Sequence, residues 1–181
     1  TDSYNGIDVG HHSSPAFVDI DNDGDQDLFV GELYGTMYFY RNDGTPENAS
    51  WTYVTSNYNS IDVLFYNSPD FTDIDNDGDY DLFMGHVNGK IYFYRNDGTP
   101  ENPSWTYVSD NYYGINVGYH STIAFTDIDN DGDQDLFVGD DSGGLFHWKQ
   151  LTYKISGTIT DGTDPMEDIT VHLDKNGNIF T

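Results

Sequence analysis

Cysteine is absent from the 181 residues, which excludes disulfides, thiolate metal ligands and a cysteine nucleophile. Basic residues are almost as scarce. Six Lys and Arg stand against 32 Asp and Glu, for a formal charge of −26. So acidic a chain has no basic face with which to hold nucleic acid, and anionic lipid headgroups would repel it. No apolar run approaches the roughly 18 residues of a membrane span, so no membrane insertion is expected. Neither a Ser/His/Asp arrangement nor a Gly-rich phosphate loop stands out, and the expectation is a protein that is not an enzyme. What is present is packing material: 36% of the residues are hydrophobic and 16% aromatic, enough for a folded core despite the charge. The chain opens at Thr1 with neither Met nor a leader pattern, and we expect a mature or excised part of something longer.

The dominant feature is a repeat. Phe17 to Gly31 (FVDIDNDGDQDLFVG) recurs at Phe71 to Gly85 and at Phe125 to Gly139, with a constant period of 54 residues. Its flanks recur too, Tyr38 to Asn48 at Tyr92 to Asn102, and Ser50 to Val54 at Ser104 to Val108. Such a period marks an array whose unit is one supersecondary module. Within the unit, Asp81 to Gly85 and Lys90 to Tyr94 are short, aromatic or β-branched stretches that read as strands, with Asn88-Gly89 as the hairpin turn between them. Further strands are expected near Ala16 to Asp19 and Trp51 to Val54, with Asn42 to Pro46 turning the chain between. About four strands per unit is the content of a propeller blade. The expected fold is therefore all-β: three blades over residues 1–150, an incomplete ring, then a short β-strand tail over 151–181.

Each repeat carries a nine-residue acidic loop, at 19–27, 73–81 and 127–135. Carboxylates stand at positions 1, 3, 5, 7 and 9 and Gly at 6. The candidate metal ligands are Asp19, Asp21, Asp23, Asp25 and Asp27, then Asp73, Asp75, Asp77, Asp79 and Asp81, then Asp127, Asp129, Asp131, Asp133 and Asp135. Side chains of positions 1, 3, 5 and 9 and the backbone carbonyl of position 7 are the expected ligands. An all-oxygen set around a Gly turn suits calcium, which takes six to eight oxygens, and does not suit zinc. Two carboxylates about 4 Å apart repel by about 4 kcal/mol at an effective dielectric of 20, so loops this charged need their ion. Three Ca²⁺ sites are expected. Position 12 is Val30, Met84 or Val138 rather than Glu, and strands follow, which removes the helical EF-hand reading.

These units resemble FG-GAP/VCBS repeats, the blades of integrin-α-like calcium-binding β-propellers, over residues 1 to about 150. The resemblance implies a calcium in the loop between two blade strands, an extracellular or cell-surface setting, and roles in adhesion, in binding a protein or glycan, or as an accessory module of a secreted enzyme. Three blades fall short of the about four to eight at which propellers close. Further blades in a longer chain, blades shared with other copies, or an open array with capped ends would each resolve this.

After Trp148 the pattern changes. Tyr153 to Asp161 and Ile169 to Leu173 alternate as strands do, with Asp161-Gly162 and Asn176-Gly177 as turns, and the segment resembles the start of a carboxypeptidase-regulatory-like or Ig-like β-sandwich. Too short for a whole sandwich, it reads either as part of a larger domain or as strands donated to a neighbouring copy in a fibre. The histidine pair His11-His12 aligns with Phe65-Tyr66 and Tyr119-His120, so packing explains these rings better than catalysis. The recurrent aromatics, Trp51 and Trp105 among them, read as packing rather than as sugar platforms. Asn48-Ala49-Ser50 is a glycosylation sequon whose counterpart, Asn102-Pro103-Ser104, is blocked by proline. The sequence points to a calcium-stabilised structural or adhesive module, with a lectin-like carbohydrate-binding module or the accessory domain of a secreted polysaccharide-degrading enzyme as the alternative.

Overall fold

The computed structural model describes residues 3–150 and two short strands beyond them, His172–Leu173 and Ile179–Phe180. The chain divides into two units, Thr1–Gln150 and Leu151–Thr181. In the first, β1 (Ser14–Val18), β2 (Asp27–Gly31), β3 (Met37–Asn42) and β4 (Trp51–Thr55) form one antiparallel sheet in chain order. One period on, β5 (Ser68–Thr72), β6 (Asp81–Gly85), β7 (Ile91–Asn96) and β8 (Trp105–Ser109) repeat it. In the third sheet β10 (Asp135–Gly139) lies between β9 (Thr122–Thr126) and β11 (Leu145–Trp148), making three strands among the described residues. The sheets do not close into a ring. No α-helix occurs among the described residues; three single turns of 3₁₀-helix, Tyr4–Gly6, Tyr58–Ser60 and Tyr112–Gly114, recur with the same period.

The second strand of each blade is the continuous apolar run, and burial on both faces is the reason it does not alternate. Every residue of β2 and β6 is buried. Phe29 stacks on Phe39 at 4.6 Å and Phe83 on Phe93 at 4.5 Å. The core between the first two sheets joins Val18, Phe29, Met37 and Phe39 to Tyr58, Leu82 and Met84, and the next joins Phe83, Ile91 and Phe93 to Leu136 and Val138. Each inter-blade segment leans on the preceding hairpin: Tyr66 N–H donates to Leu33 O at 2.9 Å, and His120 N–H to Val87 O at 3.0 Å.

The hairpin expected at Asn88-Gly89 forms, but not as a two-residue turn. Gly89 N–H donates to His86 O at 3.0 Å and Gly89 alone in this turn has a positive φ, 75°, so the turn is His86–Gly89. The rings of His12, Tyr66 and His120 meet along the array, edge-on at 4.9 Å and tilted at 3.9 Å, a ring-to-ring contact rather than a catalytic arrangement. The adjoining position behaves differently, with Phe65 and Tyr119 more than half exposed.

In the second unit His172–Leu173 (β12) pairs antiparallel with Ile179–Phe180 (β13), His172 opposite Phe180. The strands expected from Tyr153 to Asp161 and the turns at Asp161-Gly162 and Asn176-Gly177 lie outside the described residues.

Candidate metal centre

Each acidic loop joins the first two strands of its blade, and both its ends are clamped by the ladder, Val18 opposite Asp27, Thr72 opposite Asp81 and Thr126 opposite Asp135. Between the clamps the backbone folds back on the first carboxylate. Asp19 Oδ1 accepts the N–H of Asp23 and Oδ2 that of Gly24, both at 3.0 Å; Asp73 and Asp127 accept the same pair in their own loops. Asp23 Oδ1 accepts the N–H of Asp25 at 3.1 Å. This winding needs two left-handed residues. Gly24, Gly78 and Gly132 supply one at φ of 95 to 98°, and Asn22, Asn76 and Asn130 the other at 58 to 61°. The glycine is evident from its place in the motif. The asparagine's role was missed, although its recurrence as the fourth residue of every loop was the available signal.

The winding gathers positions 1, 3 and 5. In each of the groups Asp19-Asp21-Asp23, Asp73-Asp75-Asp77 and Asp127-Asp129-Asp131 one oxygen per residue lies within 4.8 Å of the others, so each triad can hold a metal ion. Positions 7 and 9 lie buried: Asp25, Asp79 and Asp133, and below them Asp27, Asp81 and Asp135. Asp27 Oδ1 accepts the N–H of Asn42 and Asp81 Oδ1 that of Asn96, each at 2.8 Å. Their second oxygens, with Oδ1 of Asp21, Asp25 and Asp79, are buried without a hydrogen bond among the described residues. Buried carboxylate oxygens left unpaired are costly, and a cation is the partner that would satisfy them together.

The electrostatics agree. Burial, then the charges of Asp23 and Asp19, push the Asp21 carboxyl above the usual range; for Asp25 the causes are burial, then Asp23, Asp19 and Asp21. Burial and the charges of Asp77, Asp75 and Asp73 raise Asp79 to about 6. Burial raises Asp27 to about 6 and Asp81 to about 7, against the hydrogen bonds from Asn42 and Asn96. All the donors are oxygens, so the site suits a hard divalent cation and offers a soft one nothing.

The third loop has a different neighbour. Arg41 and Arg95 pair with Asp43 and Asp97, outside the loops, each at 2.6 Å. Lys149, at the equivalent repeat position, turns into its loop instead, bonding Asp129 and lying 3.0 Å from Asp131. It holds the Asp131 carboxyl below its ordinary value, and the two carboxylates raise the lysine. Asp135 has His147 Nε2 3.8 Å from Oδ1 in place of a backbone donor. Sequence reasoning overlooked Lys149; the run Arg41-Asn42, Arg95-Asn96, Lys149-Gln150 was the signal.

A family model described as an FG-GAP-like repeat matches residues 19–84 and again 73–138, each match running from one acidic loop through the next. No curated protein matches the chain, and no solved structure does.

Proposed function

The chain belongs to the FG-GAP-like repeat family, a β-propeller-type module of structure and adhesion, and from that premise we propose that it is a calcium-stabilised scaffold working outside the cell without catalysis. The observation that carries this reading is the threefold recurrence of a wound loop that converges three carboxylates and buries two more beneath them. The ligands would be the side chains of positions 1, 3, 5 and 9 with the carbonyl of position 7. The buried, unbonded Oδ1 of Asp25 and of Asp79 adds a side-chain oxygen to that set. Bound calcium supplies the positive charge that turns mutual repulsion into cohesion. The chain's own part is to hold the carboxylates together through Asn22 and Gly24 and their equivalents, and to tie position 9 to the third strand through Asn42 and Asn96. An ion held so couples the first three strands of a blade. The extracellular setting is the one typical of proteins built from this repeat. No helix among the described residues is long and apolar enough to cross a membrane.

Calcium titration by calorimetry, with melting curves in calcium and in EDTA, tests the reading. Each site should add about 2.7 kcal/mol when calcium stands at 100 times its dissociation constant. The melting temperature should therefore fall strongly in EDTA, and Asp75→Ala should reproduce part of the fall. Identical melting curves in the two solutions would refute it.

A second reading, a saccharide-binding module, is favoured by an open cleft of about 430 Å³ where Trp51, Tyr40 and Tyr53 stand beside Asn5 and Asp8, aromatic faces next to polar groups. Glycan-array binding that is lost in Trp51→Ala would support it, and absence of any glycan binding would remove it.

A further inference from the structure

We propose that the two end faces of the array are the two halves of one interface, each receiving the opposite end of a second copy of this chain. The proposal deepens the structural reading above, and rests on it in that the module is taken to assemble rather than to catalyse. The interior of the array shows what a blade face requires. Between the first two sheets, Phe71 lies 4.7 Å and Tyr58 4.8 Å from Phe29, and Tyr58 lies 5.3 Å from Phe39. One period on, Phe125 lies 4.6 Å and Tyr112 4.9 Å from Phe83, and Tyr112 lies 5.4 Å from Phe93. Each inter-blade core is thus closed by one tyrosine ahead of a blade's first strand and one phenylalanine within it, both set on a stacked ring pair of the blade before.

The first blade presents the same two closing residues to no sheet among those described. Tyr4 stands where Tyr58 and Tyr112 stand, and even receives the same indole bond, Trp51 Nε1–H to Tyr4 Oη at 3.3 Å against Trp105 to Tyr58 at 3.4 Å. Tyr4 is nevertheless 63% exposed where Tyr58 is 8%, and Phe17, the counterpart of Phe71 and Phe125, is 54% exposed. The third blade presents the receiving surface. Phe137 stacks on His147 at 4.5 Å, in the places of Phe29 on Phe39 and Phe83 on Phe93. Leu145 is 74% exposed where Met37 and Ile91 are fully buried, and Ile128 is 58% exposed where Ile20 is 5%.

The backbone carries the same complementarity. A Cβ added at Gly31 would lie 2.0 Å from Asn67 O, and one at Gly85 2.0 Å from Ser121 O, so these glycines admit the chain of the next blade. At Gly139 the nearest atom is Oγ1 of Thr122 in its own sheet, at 2.8 Å. Ser13, the repeat counterpart of Asn67 and Ser121, is exposed at the other end of the array. The occupant is a second copy because each end face offers what the interior interfaces pair twice over, residue for residue. Apolar faces of this kind on so acidic a surface mark interaction sites. A head-to-tail contact closes into a ring or runs on as a filament, and two copies of the described array would bring together six blades, within the about four to eight at which propellers close.

Sedimentation velocity on the full chain in calcium, over a wide concentration range, tests this. The parent should pass from one chain to two or more as concentration rises. Tyr4→Asp damages one face and Leu145→Asp the other; each alone should associate at least about 10-fold more weakly, equivalent to about 1.4 kcal/mol. Mixed together the two should form dimers, because each keeps the face the other lacks. Circular dichroism checks that both fold, with Tyr4→Ser and Leu145→Ser repeating the test if either does not. A parent that stays monomeric, a variant that self-associates alone as tightly as the parent, or a mixture that associates no better than either variant alone would each overturn the proposal. Melting curves in calcium and in EDTA on the same samples report separately on the metal reading. A chain stabilised by calcium yet monomeric overturns the docking alone, and one that associates without any calcium response overturns the metal reading alone.

Discussion

The second and third blades carry acidic loops with the same carboxylates and glycine at every position, yet their surroundings differ. In the second, Asp81 is tied by the N–H of Asn96 at 2.8 Å, Arg95 is occupied with Asp97, and Phe83 is enclosed by Phe93, Tyr112 and Phe125. In the third, Asp135 faces His147, Lys149 leans into the loop, and among the described residues Phe137 meets only its own sheet's ring. A motif alone therefore does not set the strength of a site. The loop supplies the carboxylates, while the third strand and the following blade supply the counter-charges and the packing that hold them.

Packing should show the difference most strongly. Phe83→Ala should cost about 3–5 kcal/mol, as for a fully buried aromatic ring, whereas Phe137→Ala should cost at most about half of that. Chemical denaturation of both variants measures it, and equal losses would mean that the third blade is as well packed as the second. A smaller effect is expected at the acidic loops. Lys149→Met removes the cation that competes with an incoming ion, and should tighten calcium at the third loop by about 0.5–1 kcal/mol while leaving the first two unchanged. Calorimetry resolves this, and unchanged affinity at all three loops would make Lys149 a bystander. A third effect is on pH. Asp79 and Asp81 hold their protons more tightly folded, at about 6 and 7, than in the unfolded chain at 3.8. The folded state then binds more protons over that window, so the metal-free chain should gain stability as pH falls from about 8 to about 5. Melting curves in EDTA across that range should rise, the second blade's loop contributing through Asp79 and Asp81; a flat or falling series would contradict it.

Much of this was legible in the residues themselves. A period with no insertion places the described strands of each blade, because a unit that cannot bury its own apolar face must meet a copy of itself. Five carboxylates alternating around one glycine announce the loops, and in each three of them converge where a metal ion could be held. Other features were not legible. That Asn22 takes a left-handed turn, that Asp27 and Asp81 are bound by the backbone of a strand 15 residues away, and that Lys149 pairs with its own loop where Arg41 and Arg95 pair with Asp43 and Asp97 all depend on which segments meet in space.

The sequence by itself therefore determined the repeating unit, its strands and the identity of its charged oxygens, since these follow from local pattern and charge. Only the tertiary structure decided which oxygens lie buried and unbonded, which loop has its own lysine, and which blade faces are left open. Burial and enclosure are properties of neighbours brought together by folding, and a residue's type does not carry its neighbours with it.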